Sequence, residues 1–509
     1  MYFFRFQMLS LVVLAAILFW SCSNPDTSKA VSAGEEAVIF PDYTDITVPP
    51  NIAPLNFRME NEGSRFVVRF VGENGYTFSI KTSKTVTIPA KKWRRLLKEN
   101  IGKTYQIRIY RKHRGQWEKF PTITNTISTE PIDPYLIYRF IHPGYETSGY
   151  LRIQQRHLES FKSSDIINSS LMKGSCMNCH LTNWGNPDEF VVHFRFRNSG
   201  TIVYKDGEFR RLNTVTQEFI NPGIHPAWHP SGRFIAFSTN TAELYFHYDV
   251  FKRTESYDSK GNIALFDLET NTMLGHSKLM TPDPIQETFP CWSPDGKWLY
   301  FCRTSPPAFI DTLPTIEQQL SYIKYDLLRI SFDERTISFG EIETVVDSDV
   351  FGKSVSLPRV SPDGRFITFV AAHRGTFTVW KKDADLWILD RQTMEKKPLT
   401  EANSDESDSY HSWSSNSRWV VISSKRRDGL VALPYFSHID KNGNATKPFL
   451  LPQKNPNFYD VWIQSFNIPE LVRGRTTINI YDYERAIKGP VTNVRFGWAN
   501  SKSKPSKTQ

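Results

Sequence analysis

Residues 289–304 read FPCWSPDGKWLYFCRT, and this stretch decides the fold. Two apolar-rich runs flank Ser293-Pro294-Asp295-Gly296. Proline presets φ at the second position of a turn, and glycine takes the left-handed conformation that closes it. The stretch therefore reads strand, tight turn, strand. It recurs without gaps as HPAWHPSGRFIAFSTN from His225, LPRVSPDGRFITFVAA from Leu357 and YHSWSSNSRWVVISSK from Tyr410. Trp228, Trp292, Val360 and Trp413 share one register. So do Gly232, Gly296, Gly364 and Ser417, and then Phe237, Phe301, Phe369 and Ile422. The fourth copy lacks both proline and glycine, so its turn is the one least specified by sequence. Further strands follow the hairpins, as at Asn262–Phe266 and Asp385–Leu389. One small sheet buries only one face, so repeats of this kind stack radially or linearly.

The short strands and SPDG turns resemble the PD40 repeats of TolB-type proteins. That resemblance implies a mainly all-β fold with a β-propeller over residues 190–498. Pro230 to Pro294 spans 64 residues and Pro294 to Pro362 spans 68, against about 40–45 for a propeller blade. Inserted loops such as AELYFHYDVFKRTESYDS (242–259) account for the excess. Adding FVVHFRFRNSGTIVYKDGEFRRL (190–212) in front and a closing blade after Asp460 gives about six blades. The alternative is an open stack, which exposes strand edges that a closed ring protects.

The chain opens MYFFRFQMLSLVVLAAILFWSCSNPDTSKA. Arg5 precedes an apolar run, Leu9 to Trp20, that is shorter than the ~20 residues of a membrane span. Residues 1–21 are expected to be a signal peptide. Cys22 follows the small residue Ser21 and resembles the lipidated cysteine of bacterial lipoproteins, although Phe19 and Trp20 are bulky for that pattern. The expectation is a protein anchored through lipid in the bacterial cell envelope, at the outer membrane, with residues 22–46 as a flexible tether. Four further cysteines in 509 residues are too few for a disulfide scaffold. The net charge of +9 is dispersed apart from a basic tail at 499–509. Without a long basic patch, nucleic acid is not an expected partner.

Residues 47–130 read as a small β-sandwich-like domain. Phe66–Phe70 and Tyr76–Ile80 flank a Gly-Glu-Asn-Gly turn, and Tyr105–Tyr110 alternates with period two. Lys91–Leu97 places Trp93, Leu96 and Leu97 on one helical face. Residues 131–189 read as a connector punctuated by prolines.

At its end lies Cys176-Met177-Asn178-Cys179-His180. Chance gives a C-x-x-C-H match about 0.001 times at this composition. The spacing is the attachment signature of a c-type haem: two thiols add to the vinyl groups, and the histidine binds the iron. The alternatives are a zinc or redox thiol pair and a plain disulfide. Zinc needs further ligands at similar spacing, and a thioredoxin-like pair needs a βαβ context. Under the haem reading, Cys176 and Cys179 carry one covalent haem c and His180 is the proximal ligand. His193, Met172, His157, His247 and His229 are then the candidates for the distal position. Cys291 and Cys302 read as small buried hydrophobes, and the acidic loop 401–408 as a solvated loop.

PIDPYLIYR, CMNCH, AWHPSGRFIAFSTN, HSWSSNSRWVVISS and KPFLLPQKNP together resemble a family of TolB-like envelope lipoproteins with a cytochrome-c-type motif. The resemblance implies haem c and a propeller. Two functions follow as expectations: electron transfer or haem-based sensing with an envelope redox partner, or a TolB-like scaffold that binds envelope proteins without redox chemistry. A hydrolase would need a G-x-S-x-G elbow, and the chain has none. An enzyme is the less expected outcome.

Overall fold

The computed structural model describes residues 26–142, 150–172, 175–245, 255–307, 310–313 and 315–500. Six blades form a closed β-propeller. Their innermost strands are Cys176–Asn183, Ile224–Trp228, Gln286–Trp292, Ser354–Val360, Asp408–Trp413 and Ser465–Val472, numbered here as blades one to six. Each of these strands neighbours the next around the ring, and the sixth neighbours the first.

The repeat register holds. Trp228 pairs with Ile235, Trp292 with Leu299, Val360 with Ile367 and Trp413 with Val420. The turns form as their chemistry dictates. Gly296 donates its amide to the Ser293 carbonyl at 2.9 Å and Gly364 to Ser361 at 2.8 Å. Ser417, without glycine's freedom, takes the same left-handed φ of 60° and makes the same bond to Ser414 at 2.9 Å. What secures the fourth turn is its neighbour: the Ser417 hydroxyl accepts the Asp363 amide of blade four at 2.8 Å. Each turn's first serine also accepts the amide five residues on, at Trp298, Phe366 and Trp419.

Trp228, Trp292 and Trp413 are all buried at their shared position. Trp292 sits at 1% exposure between blades two and three. Trp292→Ala is expected to cost roughly 3–5 kcal/mol, read by urea unfolding. A loss below roughly 1 kcal/mol would contradict its place in the core.

The segment read as a connector is three strands of blade six. Tyr135–Ile141 pairs antiparallel with Ser465–Val472, and Arg152–His157 and Ser163–Asn168 complete the sheet outward. The run YLIYRFI between Pro134 and Pro143 is a buried strand, and its partner lies more than 300 residues away. Cys176–Asn183, placed at the end of that connector, is the innermost strand of blade one. The propeller therefore begins near Tyr135.

The N-terminal boundary also moves. Residues 26–46 are folded, not a flexible tether: Val31–Ser32 and Ile39–Phe40 are strands, and Tyr43 and Ile46 are buried. A seven-stranded sheet, a three-stranded sheet and the helix Ala90–Glu99 make up this domain. The helix buries Trp93, Leu96 and Leu97 as its periodicity requires. The domain shares one continuous core with blades five and six. Trp419 seals the join by donating its indole N–H to the Glu130 carbonyl at 2.9 Å.

After blade six, the helix Ile480–Lys488 starts at a capping box of Asn479 and Asp482. Thr492–Asn493 then adds in parallel to the outer edge of blade one, and Arg495–Trp498 to that of blade two. Covering these outer edges removes templates for unwanted pairing.

Candidate functional site

The innermost strands share one irregularity. Five ladders shift register at a dipeptide, Cys179-His180, His225-Pro226, Phe289-Pro290, Leu357-Pro358 and Ile468-Pro469, and the ladder of blade five shifts at Tyr410, just before the paired His411. The leading residue has φ between 46° and 54° in five of the six, at Cys179, His225, Phe289, Leu357 and Ile468. Proline suits a bulge because it has no amide to leave unpaired. A left-handed residue at a single site suggests local strain. The same residue at five equivalent sites is architecture. The Cys-His of the C-x-x-C-H motif thus occupies the position that X-Pro holds in four other blades.

Attachment of haem c with axial ligation by the adjacent histidine brings residues i, i+3 and i+4 together, as one helical turn does. Here Cys176–Asn183 is extended and laddered to Asn186–Arg195. Cys179 turns toward blade two, with its Sγ 3.9 Å from His225 Nδ1. His180 stacks on Phe190 at 6.1 Å. Neither of its ring nitrogens closes a well-formed hydrogen bond, although the Ile468 main chain lies alongside. Those unpartnered nitrogens are what a metal ligand would offer, but the strand does not fit a covalently attached haem. A chain carrying haem on both thiols would have to give up this ladder. Folded protein matured with a haem-attachment system is therefore expected to show no haem stain after denaturing electrophoresis. A stain lost in the Cys176→Ala, Cys179→Ala double variant would overturn this.

The distal candidates are dispersed. His193 lies opposite Asn178 in the ladder and contacts Thr201 Oγ1 at 3.1 Å. His229 is a spacer between blades two and three, bonded to Ser231 and to the Gly296 carbonyl, with its ring 4.7 Å from that of Trp292. His157, on the middle strand of the three that blade six takes from residues 135–168, bonds Ser160. Met172 ends the short helical turn Ser169–Met172. His247 and Cys22 lie outside the described residues. Cys176, Cys179, Cys291 and Cys302 are all free thiols. Cys291 is opposite Tyr300, not Cys302, and both Cys291 and Cys302 are buried. In the acidic loop, Asp408 is fully buried and paired with Arg426 at 2.9 Å.

Directly after the bulge, each innermost strand turns one residue into a shared cavity of about 110 Å³ on the propeller axis. These residues are Leu181, Ala227, Cys291, Arg359, Ser412 and Glu470. The next position around the ring is a tryptophan in three of the six blades, Trp228, Trp292 and Trp413. Phe289, Leu357 and Tyr410, the bulge residues of blades three to five, belong to one core cluster against which Phe377 packs.

Glu470 is buried and accepts the Thr182 amide at 2.9 and 3.1 Å, together with the Thr182 hydroxyl. Burial pushes its carboxyl up to about 7, against those hydrogen bonds and the field of Arg359. Asp133, at the rim, is raised by burial although Ser415 donates to it twice. Burial also raises the Cys291 thiol, with Arg359 beside it.

No protein-family model matches this chain, and no curated protein matches it. Among solved structures it is similar to an oligogalacturonate lyase in complex with manganese (11% identity, 61% of this chain, 70% of that chain, TM-score 0.34). It is also similar to a periplasmic gluconolactonase of Pseudomonas aeruginosa (11%, 63% and 97%, TM-score 0.34). A third is prolyl oligopeptidase B of Galerina marginata (9%, 68% of this chain but 42% of that chain, TM-score 0.34). These likenesses concern the fold and lend nothing to the site. Arg359, Glu470 and His225 were not singled out by sequence reasoning. The signal was present in the aligned repeats: the residue before the shared Trp or Val is Ala, Cys, Arg and Ser in turn.

Proposed function

We propose that the protein is a TolB-like binding protein of the bacterial envelope, tethered through lipid on Cys22, whose propeller cavity receives a segment of an envelope partner. One observation carries this reading. Turns, bulges and flanking tryptophans repeat around the ring, whereas the position facing the cavity differs in every blade and includes one arginine and one glutamate. A purely structural ring has no use for that asymmetry. Electron transfer through haem is not what this geometry supports.

The reading is tested in cells by a photo-crosslinking side chain at Ser412, compared with one at the exposed Val350. A discrete adduct from Ser412 alone, lost when Ala227→Trp fills the cavity, is expected. No adduct, or the same adduct from Val350, would remove the cavity from the function.

A further inference from the structure

The ligand's chemistry can be narrowed from the one cation in the cavity. Arg359 follows the bulge of blade four, and its main chain is held in place. The Arg359 carbonyl accepts the Trp413 indole N–H and the Thr368 hydroxyl, each at 3.3 Å. Its guanidinium donates to the Pro358 carbonyl at 2.9 Å through Nη1. Among the described residues it forms no ion pair. The Cys291 thiol beside it takes a further side-chain hydrogen bond; guanidinium carries five N–H donors in a planar fork, so donors remain for a ligand. Glu470 feels the field of Arg359, but it accepts its hydrogen bonds from Thr182.

Trp228, Trp292 and Trp413 give the cavity an apolar wall, beside the polar Ser412, Thr182 and Glu470 and with Asp133 at the rim. An apolar cavity of about 150 Å³ holds a benzene ring. This one, at about 110 Å³, takes a single side-chain-sized group, part of which protrudes from the mouth. Resting on the cavity-binding reading above, we propose that the cavity holds a carboxylate borne on one apolar group, the carboxylate seated on Arg359 and the apolar group against the tryptophans. That chemistry belongs both to the C-terminal residue of a polypeptide and to a free aryl or branched alkanoic acid.

Binding is measured by calorimetry on the purified mature protein with four probes: 3-phenylpropionate, 3-phenylpropionamide, and a tetrapeptide ending in phenylalanine with either a free or an amidated terminus. A bidentate charged pair is expected to favour each acid over its amide by about tenfold or more. Arg359→Gln is expected to remove that preference while leaving amide affinity in place, and Arg359→Lys to retain part of it. The wild-type comparison stands even if a variant fails to fold. Preference for the peptide acid alone assigns a chain end, and preference for the free acid alone assigns a small molecule. Equal affinity of acid and amide overturns the carboxylate assignment while leaving the cavity as a binding site. Absence of binding by all four probes at millimolar concentration also overturns it. The crosslinking at Ser412 then decides separately whether the cavity receives a partner.

Discussion

A chain ending at Gln464 is expected to lose cooperative folding. The deletion removes the innermost strand of blade six and, with it, the side chains of Phe466, Leu471 and Val472, each at most 1% exposed. Fully burying such a residue is worth roughly 1.5–3 kcal/mol, so these three alone approach the 5–15 kcal/mol of a typical domain's whole stability. The cut also bares the buried edge of Tyr135–Ile141 and strips the outer edges of blades one and two. The expected readout is loss of the sigmoidal thermal transition and rapid proteolysis between blades. A truncated chain that melts cooperatively near the full-length temperature would show that the ring does not depend on its closing strand.

Steep unfolding is expected on the acid side. His180, His193, His225 and His411 are buried, and burial pushes each from the ordinary 6.5 down to about 3. Between those values the unfolded chain takes up protons that the fold refuses, so stability falls as pH falls, by about 1.4 kcal/mol per pH unit for each histidine. Asp258, Glu287 and Glu470 act the other way. Burial raises each to about 7, from ordinary values of 3.8 or 4.5, so the folded state takes up their protons first and gains stability as pH falls through that window. Four groups against three nearly cancel between about pH 6.5 and 4.5. Below about 4 those three carboxyls are protonated in both states, and the four histidines, at roughly 5 kcal/mol per pH unit together, act in the same direction as carboxylates that the fold holds low, such as Asp267 beside Arg233. Urea unfolding at a series of pH values should therefore show a near-plateau and then a sharp fall. Neither ring nitrogen of His180 or His411 is hydrogen-bonded well, so His180→Leu and His411→Leu should each keep the fold and make the acid limb shallower. An unchanged slope in both would assign acid unfolding to other groups.

The propeller was legible because the SPDG turn states its conformation locally and recurs in register. Blade six was hidden for the opposite reason. YLIYRFI and SFNIPELV carry no turn signature linking them, and their pairing is a long-range fact. The boundary at residue 46 failed because Tyr43 and Ile46 sit among polar residues, Ala37–Phe40 is a short apolar run, and both stretches find their core only in the assembled domain. The backbone conformation of the C-x-x-C-H motif was not legible for a subtler reason. Spacing alone does not separate a helical turn from a bulged strand, and comparison of Cys179-His180 with the X-Pro of its sister blades is what places it in the strand. Arg359 and Glu470 stayed invisible because each is ordinary on its own. Only the closed ring sets them side by side.

That closure also orders events in time. Thr182 and Glu470, bonded to each other in the cavity, are 288 residues apart in the chain. In the proposed setting, where the polypeptide threads across a membrane N-terminus first, the Thr182 strand arrives early and waits for almost the entire remainder to emerge. Until Ser465–Val472 docks, the cavity lacks a wall, and a partner meets nothing to hold. Occupancy of the cavity would thus certify a chain secreted at least through Ser465–Val472, and a molecule stalled or clipped before that strand would be mute toward its partner without any separate inspection step.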